Sequence, residues 1–396
     1  MFTRLVVAIT LIMNAASISL AQEPIRIGEL NSYKAFPSAL EPYRLGWRLA
    51  VDEINAAGGV LGRRLEVISR DDNGTPGDAV RVAEELVSRD RVVALVGTFA
   101  SHVALATSDF ARQRKILLVA AQTFSEKVVW GQGHRYVFSV RPNTEIQTAM
   151  LATEALKIRA KRWAIIYPNY EFGQTAAAAF KKVILSSQPD AQFVEFAAPF
   201  GKADGGALVQ AVSEQKPDAI FSALFASDLV RLAREVKVRS AFRGIPVFNL
   251  LAGEPEYLDA LKDDTPSGWI VTGYPWSEFM IPEHERFVAA YRAKYNDYPR
   301  VGSVAGYLAF YALATAMKKA GSTNVDEVIK AMEGLEVSSP FGPILFRGID
   351  HASTMGTFVG RLDIRDGKGV MVDWRYSDGK PFFPPDDVVT KLRPQQ

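Results

Sequence analysis

Val92–Glu126 reads VVALVGTFASHVALATSDFARQRKILLVAAQTFSE, and its residue types run strand, tight turn, helix, strand. VVALV is a β-branched apolar run suited to burial on both faces of a parallel sheet. Gly97–Ala100 forms a short turn, and Ser101 stands at the position of a helix N-cap. Ala104, Leu105, Ser108 and Ala111 follow at helical spacing, and ILLVAA supplies the next strand. In an open parallel sheet, ligands bind beyond the carboxyl ends of the strands. The turns Thr98–Ser101 and Gln122–Phe124 therefore face one crevice. Free N–H groups at the start of the helix, with the Ser101 hydroxyl, make an anion site there. The plainer reading makes Ser101 a helix cap only.

The same alternation extends both ways along the chain. Ile25–Asn31 is a first strand, followed by a loop carrying Tyr33, Phe36 and Pro37. A helix over Pro42–Ala57 stops at Gly58-Gly59. Strand Leu65–Arg70 and helix Pro76–Ser88 lead into the quoted stretch, and Tyr136–Val140 is one more strand. Arg141-Pro142-Asn143 breaks the series. A second series then begins: helix Thr144–Ile158, strand Trp163–Tyr167, turn Pro168–Gly173, helix Gln174–Leu185, strand Gln192–Ala197. Helix Gly206–Gln215, strand Ala219–Leu224, helix Asp228–Arg239 and strands Pro246–Asn249 and Trp269–Gly273 complete it. Helices follow at Glu283–Tyr295, Ser303–Ala320 and Val325–Met332, then late strands at Phe341–Phe346, Gly356–Leu362 and Val370–Tyr376.

The expected fold class is α/β: two Rossmann-like lobes, each a doubly wound parallel sheet. The late helices have no sheet of their own and are expected to cover the first. The first lobe is then 22–140 plus 275–345 and the second 141–274 plus 346–396. Crossings near Val140, Tyr274 and Phe346 make a three-strand hinge, with a cleft where both sets of strand ends meet.

Composition narrows the function. The chain has 396 residues, 48% hydrophobic and 23% charged, with net charge +2. Two cores fit that length, and the weak charge gives no footprint for nucleic acid. Cysteine is absent, so no disulfide or thiol chemistry is expected. The 4 histidines, His102, His134, His284 and His351, lack metal-ligand spacing. No GxGxxG, GxxxxGK[ST] or GxSxG motif occurs, so neither catalysis nor a cofactor is expected. Met1–Ala21 has one basic residue, an apolar run and small residues ending at Ala21. It reads as a cleaved secretory signal, which leaves an exported protein with no membrane insertion of its own.

IRIGELN, LAVDEINAAGGVLGRRLEVISRDDNGTPGDAVRVAEELV, VVALVGTFASHVALATSDFARQRKILLVAA, NYEFGQTAAAAFKK and GSVAGYLAFYALATAMKKAGS together resemble the branched-chain amino-acid family of periplasmic solute-binding proteins. The resemblance covers nearly all of the chain after Ala21. It implies the type I periplasmic binding fold, in which two lobes close like a flytrap on a small solute. It also implies a place in the periplasm and a membrane permease of an ATP-driven (ABC) importer as partner; a monomer is expected, with a weak dimer left open. A family serine that holds the ligand carboxylate falls on Ser101, and the next loop supplies Gln122, Thr123 and Phe124. Family aromatic positions fall on Tyr170 or Phe172 and on Phe225. The acidic residue that pairs with the ligand ammonium falls at Leu251 without a gap, or at Glu254 with a shift of three residues.

That choice decides the ligand. A buried ammonium with no counter-charge costs several kcal/mol. With Leu251 in that place, Phe99, Phe124, Phe172, Phe225 and Tyr274 line an apolar pocket with Ser101 and Gln122 at its polar end, and Tyr33 and Ala100 are further candidate ligand contacts. Such a pocket suits an aromatic or aliphatic organic acid. With Glu254 in that place, a branched-chain or other apolar amino acid fits. A sensor subunit with the same lobes is the remaining alternative.

Overall fold

In the computed structural model, residues 23–394 are described; the leader expected over Met1–Ala21 lies outside them. The first sheet has five parallel strands in the order β2-β1-β3-β4-β5. They are β1 (Ile25–Asn31), β2 (Leu65–Asp71), β3 (Ala94–Gly97), β4 (Leu117–Ala120) and β5 (Val137–Ser139). Their connections are α1 (Pro37–Ala56), α2 (Pro76–Glu84, continued as a π-turn to Arg89) and α3 (Ser101–Arg114). β3 and β4 are buried along their whole length, as both-face burial of an apolar run requires.

The second series is α4 (Thr144–Ala155), β6 (Arg162–Pro168), α5 (Glu171–Ser187), β7 (Gln192–Ala198), α6 (Gly205–Glu214) and β8 (Ala219–Ser222). It continues with α7 (Ala226–Val238), β9 (Val247–Gly253), α8 (Pro255–Leu261) and β10 (Ile270–Gly273). Then come α9 (Pro282–Tyr295), α10 (Val301–Ala320), α11 (Val325–Met332), β11 (Glu336–Ser339), β12 (Gly342–Leu345), β13 (Thr357–Arg365), β14 (Lys368–Ser377) and α12 (Asp386–Leu392). The second sheet runs β14-β13-β10-β9-β8-β6-β7. Its five βα strands are parallel, and β13 and β14 join antiparallel at the β10 edge.

The block α9–α11 does return to the first lobe, where α10 lies against α1, β3 and β4. The two long helices approach through glycine. A Cβ on Gly46 would stand 2.0 Å from the Ser303 carbonyl oxygen, and one on Gly306 would stand 2.4 Å from that of Tyr43.

Four features depart from the sequence reading. First, α1 starts at Pro37, not Pro42, which lies inside the helix. Proline is best placed at the first helical position, and Pro37 takes it. Second, α5 starts at Glu171, so Phe172 sits in its first turn. Third, the late strand expected over Phe341–Phe346 is β12, and it pairs with β11, which was not expected, in a separate hairpin.

Fourth, the chain after Phe346 does not pass at once to the second lobe. Ser139 N–H donates to His351 O and Ser353 N–H donates to Ser139 O, so residues 347–355 complete the unpaired edge of β5. The end of the chain returns to that place too. Arg393 donates to Ile349 O, and Arg347 reaches Asp386 and stacks on Phe383 at 4.3 Å.

Candidate functional site

The carboxyl ends of β1, β3 and β4 face those of β6, β7 and β8 across the lobe boundary, and aromatic rings fill the gap between them. From the first lobe come Phe36, Phe99 and Phe124; from the second come Tyr170, Phe172, Phe200 and Phe225. Phe36 packs on Phe99 at 5.0 Å, on Phe200 at 5.8 Å and on Phe225 at 6.4 Å. Phe99 meets Phe225 at 6.2 Å, Phe124 meets Phe172 at 5.4 Å, and Tyr170 stacks on Phe200 at 4.2 Å. Ring pairs at these separations attract beyond their area of contact. Polar contacts cross the same seam: Ser125 Oγ donates to Glu171 at 2.9 Å, and Lys127 pairs with that carboxylate.

The polar wall is built by α3. Its N-cap is Ala100, which offers no side-chain cap, and Ser101 is the first helical residue. Ser101 is therefore not the cap that its spacing suggested. Thr98 and Gly97 both have positive φ, and this turn sets the helix start one residue earlier. Ser101 is 1% exposed, and its Oγ has no hydrogen-bond partner in the protein. Gln122 is equally buried, and its Nε2 is also unpartnered. Thr123 differs, because its hydroxyl is taken by Thr98 Oγ1 at 2.8 Å. An unsatisfied buried hydroxyl at a helix start without a side-chain cap is what a bound anion would complete, while Gln122 Nε2 lies toward Gly302 at the start of α10.

Two residues expected in the pocket lie elsewhere. Tyr274 bonds His284 Nε2 through its hydroxyl at 2.7 Å and packs on Phe341 at 5.0 Å. It follows β10, whose neighbours are β9 and β13, so its loop emerges beside the cleft rather than into it. Tyr33 is held inside the first lobe, accepting from Trp47 Nε1 at 3.2 Å beneath the Arg44 guanidinium.

Glu254 follows β9 and forms a buried ion pair with Arg141, in the segment joining β5 to α4. The guanidinium also lies over the Phe124 ring at 4.5 Å. Burial pushes the Glu254 carboxyl up, and Arg141 pulls it back. Glu256 accepts the Gly302 N–H at the start of α10 at 2.8 Å, so α8 of the second lobe meets α10 of the first. Burial and the nearby Glu254 charge push Glu256 up to about 7. Leu251 is buried with φ of 78°, and its N–H bonds Thr272.

Arg141, Phe36, Phe200 and Glu256 were not assigned to the site from sequence. Phe36 lies in a loop already marked as aromatic, which was the signal available. Phe200 follows β7, an edge strand with an ordinary turn after it.

Two lobes with opposed strand ends and an aromatic seam between them form the architecture of a protein that closes on a small solute. The periplasmic binding protein family model matches residues 24–368, and the chain belongs to that family. It is 25% identical over 380 residues to the Leu/Ile/Val-binding protein homolog 8 of Brucella abortus, covering 88% of this chain and 87% of that one. Among solved structures it resembles a Rhodopseudomonas palustris BisB5 solute-binding protein of an ABC transporter in complex with 3,4-dihydroxybenzoic acid. That match has TM-score 0.81 and 22% identity, covering 90% and 98% of the two chains. It also resembles the branched-chain amino-acid binding protein LivJ of Streptococcus pneumoniae in complex with isoleucine, with TM-score 0.77 and 21% identity over 90% and 99%. Among the described residues no helix is long and apolar enough to cross a membrane.

Proposed function

We propose that this protein captures a small aromatic or aliphatic organic acid in its inter-lobe cleft and delivers it to the permease of an ABC importer, acting in the periplasm. The observation that carries the ligand class is the Arg141–Glu254 pair. The carboxylate that could meet a solute ammonium already has its cation, while Ser101 Oγ and Gln122 Nε2 have no partner within the protein and α3 has no side-chain cap. The rings at Phe99, Phe124, Tyr170, Phe172 and Phe225 supply the apolar wall. The relative holding 3,4-dihydroxybenzoic acid has the same architecture, and its ligand type suits this wall. Binding shifts the open–closed balance because the solute touches both lobes at once.

A thermal-shift screen of benzoates and aliphatic acids against apolar amino acids tests this. A ligand at about 100 times its Kd stabilises the folded state by about 2.7 kcal/mol, readily seen in Tm. Acids are expected to raise Tm and amino acids to leave it unmoved. A response to amino acids alone would reverse the assignment.

A further inference from the structure

We infer that Arg141 is the residue that sets which charge the cleft accepts, acting as a built-in cation that stands where a solute ammonium would otherwise sit. This rests on the cleft being the solute site. Arg141 and Glu254 lie 113 residues apart in the chain, and their side chains are only 4% and 5% exposed. Such a buried pair persists only if each charge answers the other. The guanidinium is not remote from the cleft. It lies over Phe124, whose ring touches Phe172, and Phe172 touches Phe225 at 5.5 Å.

Arg141 also has something left to give. Its Nε is buried and without a partner, so the fork retains a donor after meeting Glu254. A carboxylate entering beside it finds a charged donor, whereas an ammonium finds a fixed like charge. The second carboxylate, Glu256, has one oxygen committed to Gly302 N–H.

The chemistry predicts an inversion. Without Arg141, Glu254 is a buried carboxylate with no counter-ion, and a solute that carries its own ammonium satisfies it. Without Glu254, Arg141 is an unpaired cation, and anions are held at least as well as before.

Calorimetric titration with two matched pairs reads this directly: leucine against 4-methylpentanoate, and phenylalanine against 3-phenylpropanoate. Each pair differs only by the α-ammonium. Wild type is expected to bind the acids and not the amino acids. Arg141→Met is expected to lose acid affinity by roughly thirtyfold or more, the lower end of the cost of truncating one partner of a buried charge pair, and to gain the matching amino acid. Glu254→Gln is expected to hold the acids as tightly as wild type or more so.

If Arg141→Met does not fold, the Arg141→Met/Glu254→Gln double variant removes both charges together. It is expected to lose acid affinity without gaining amino acids. Acid binding by Arg141→Met or the double variant at wild-type strength overturns the role of Arg141 and leaves the cleft reading standing. Wild type that binds amino acids with Arg141 in place, or that binds neither member of either pair, overturns this inference together with the acid reading beneath it.

Discussion

Ser101 Oγ carries no hydrogen bond although it is buried. An unsatisfied buried hydroxyl costs stability in the free protein and is repaid only when a ligand arrives. Ser101→Ala should therefore leave the unliganded Tm unchanged or slightly raised, while affinity for the acid falls by about 1.5–3 kcal/mol, the range for a bond to a charged group. Calorimetry and a melting curve on the same sample separate the two effects. Glu29 gives a second test within the first lobe. It is fully buried in β1, bonded by Ser69, and burial raises its carboxyl from 4.5 to about 8. The unfolded chain loses this proton near pH 4.5, and the folded chain keeps it until about 8. Stability from this group is therefore complete at low pH and is lost as pH climbs between those values. Glu29→Gln should flatten that decline, so its Tm should gain on wild type as pH rises from 5 to 8; parallel Tm–pH curves would refute the assignment.

Among elements, the α1–α10 crossing and the α8–α10 contact carry the most consequence. The first depends on the absence of a side chain at Gly46, where a Cβ would lie 2.0 Å from a backbone oxygen of α10. Gly46→Ala should cost about 3 kcal/mol, the upper part of the overpacking range, read as a lowered midpoint in denaturant with an unchanged slope. The second contact joins the lobes. Asp259 on α8 takes Arg300 at 2.9 Å and the Tyr298 hydroxyl, while Glu256 takes Gly302 N–H. Asp259→Asn should open the unliganded lobes and weaken solute affinity by about 0.5–1 kcal/mol, as expected of a partly exposed pair. Small-angle scattering should show a larger radius, and Tm should hold; an unchanged radius would remove the lobe-joining role. The central strands β3, β4 and β8 were readable as apolar runs, because burial on both faces leaves little other composition. The start of α1 was not, because Pro37 and Pro42 both satisfy the rule for a first helical residue. Nor was the pairing of residues 347–355 with β5, because that segment borrows its strand character from an unpaired edge far away in the chain.

At the scale of the whole molecule, the fold class was readable because βα alternation repeats on either side of the Arg141–Asn143 break. The position of the cleft follows from it, since strand ends and their loops are fixed by topology. That reasoning named Phe99, Phe124, Phe172 and Phe225, whose rings meet across the lobe boundary. It failed for Tyr274, because being at a strand end says nothing about where that strand lies in its sheet. It also failed for Arg141, which reads as part of a chain break until its partner, 113 residues on, is placed beside it. Long-range charge pairing leaves no local pattern.

Closure around an acid held at α3 is tested most directly by a crystal structure grown with the acid that gives the largest thermal shift. Its carboxylate should lie within hydrogen-bond reach of Ser101 Oγ and Gln122 Nε2, with its body among Phe99, Tyr170 and Phe225. Density for the acid outside the inter-lobe cleft, with Ser101 and Gln122 untouched, would show that this protein binds its solute by another route.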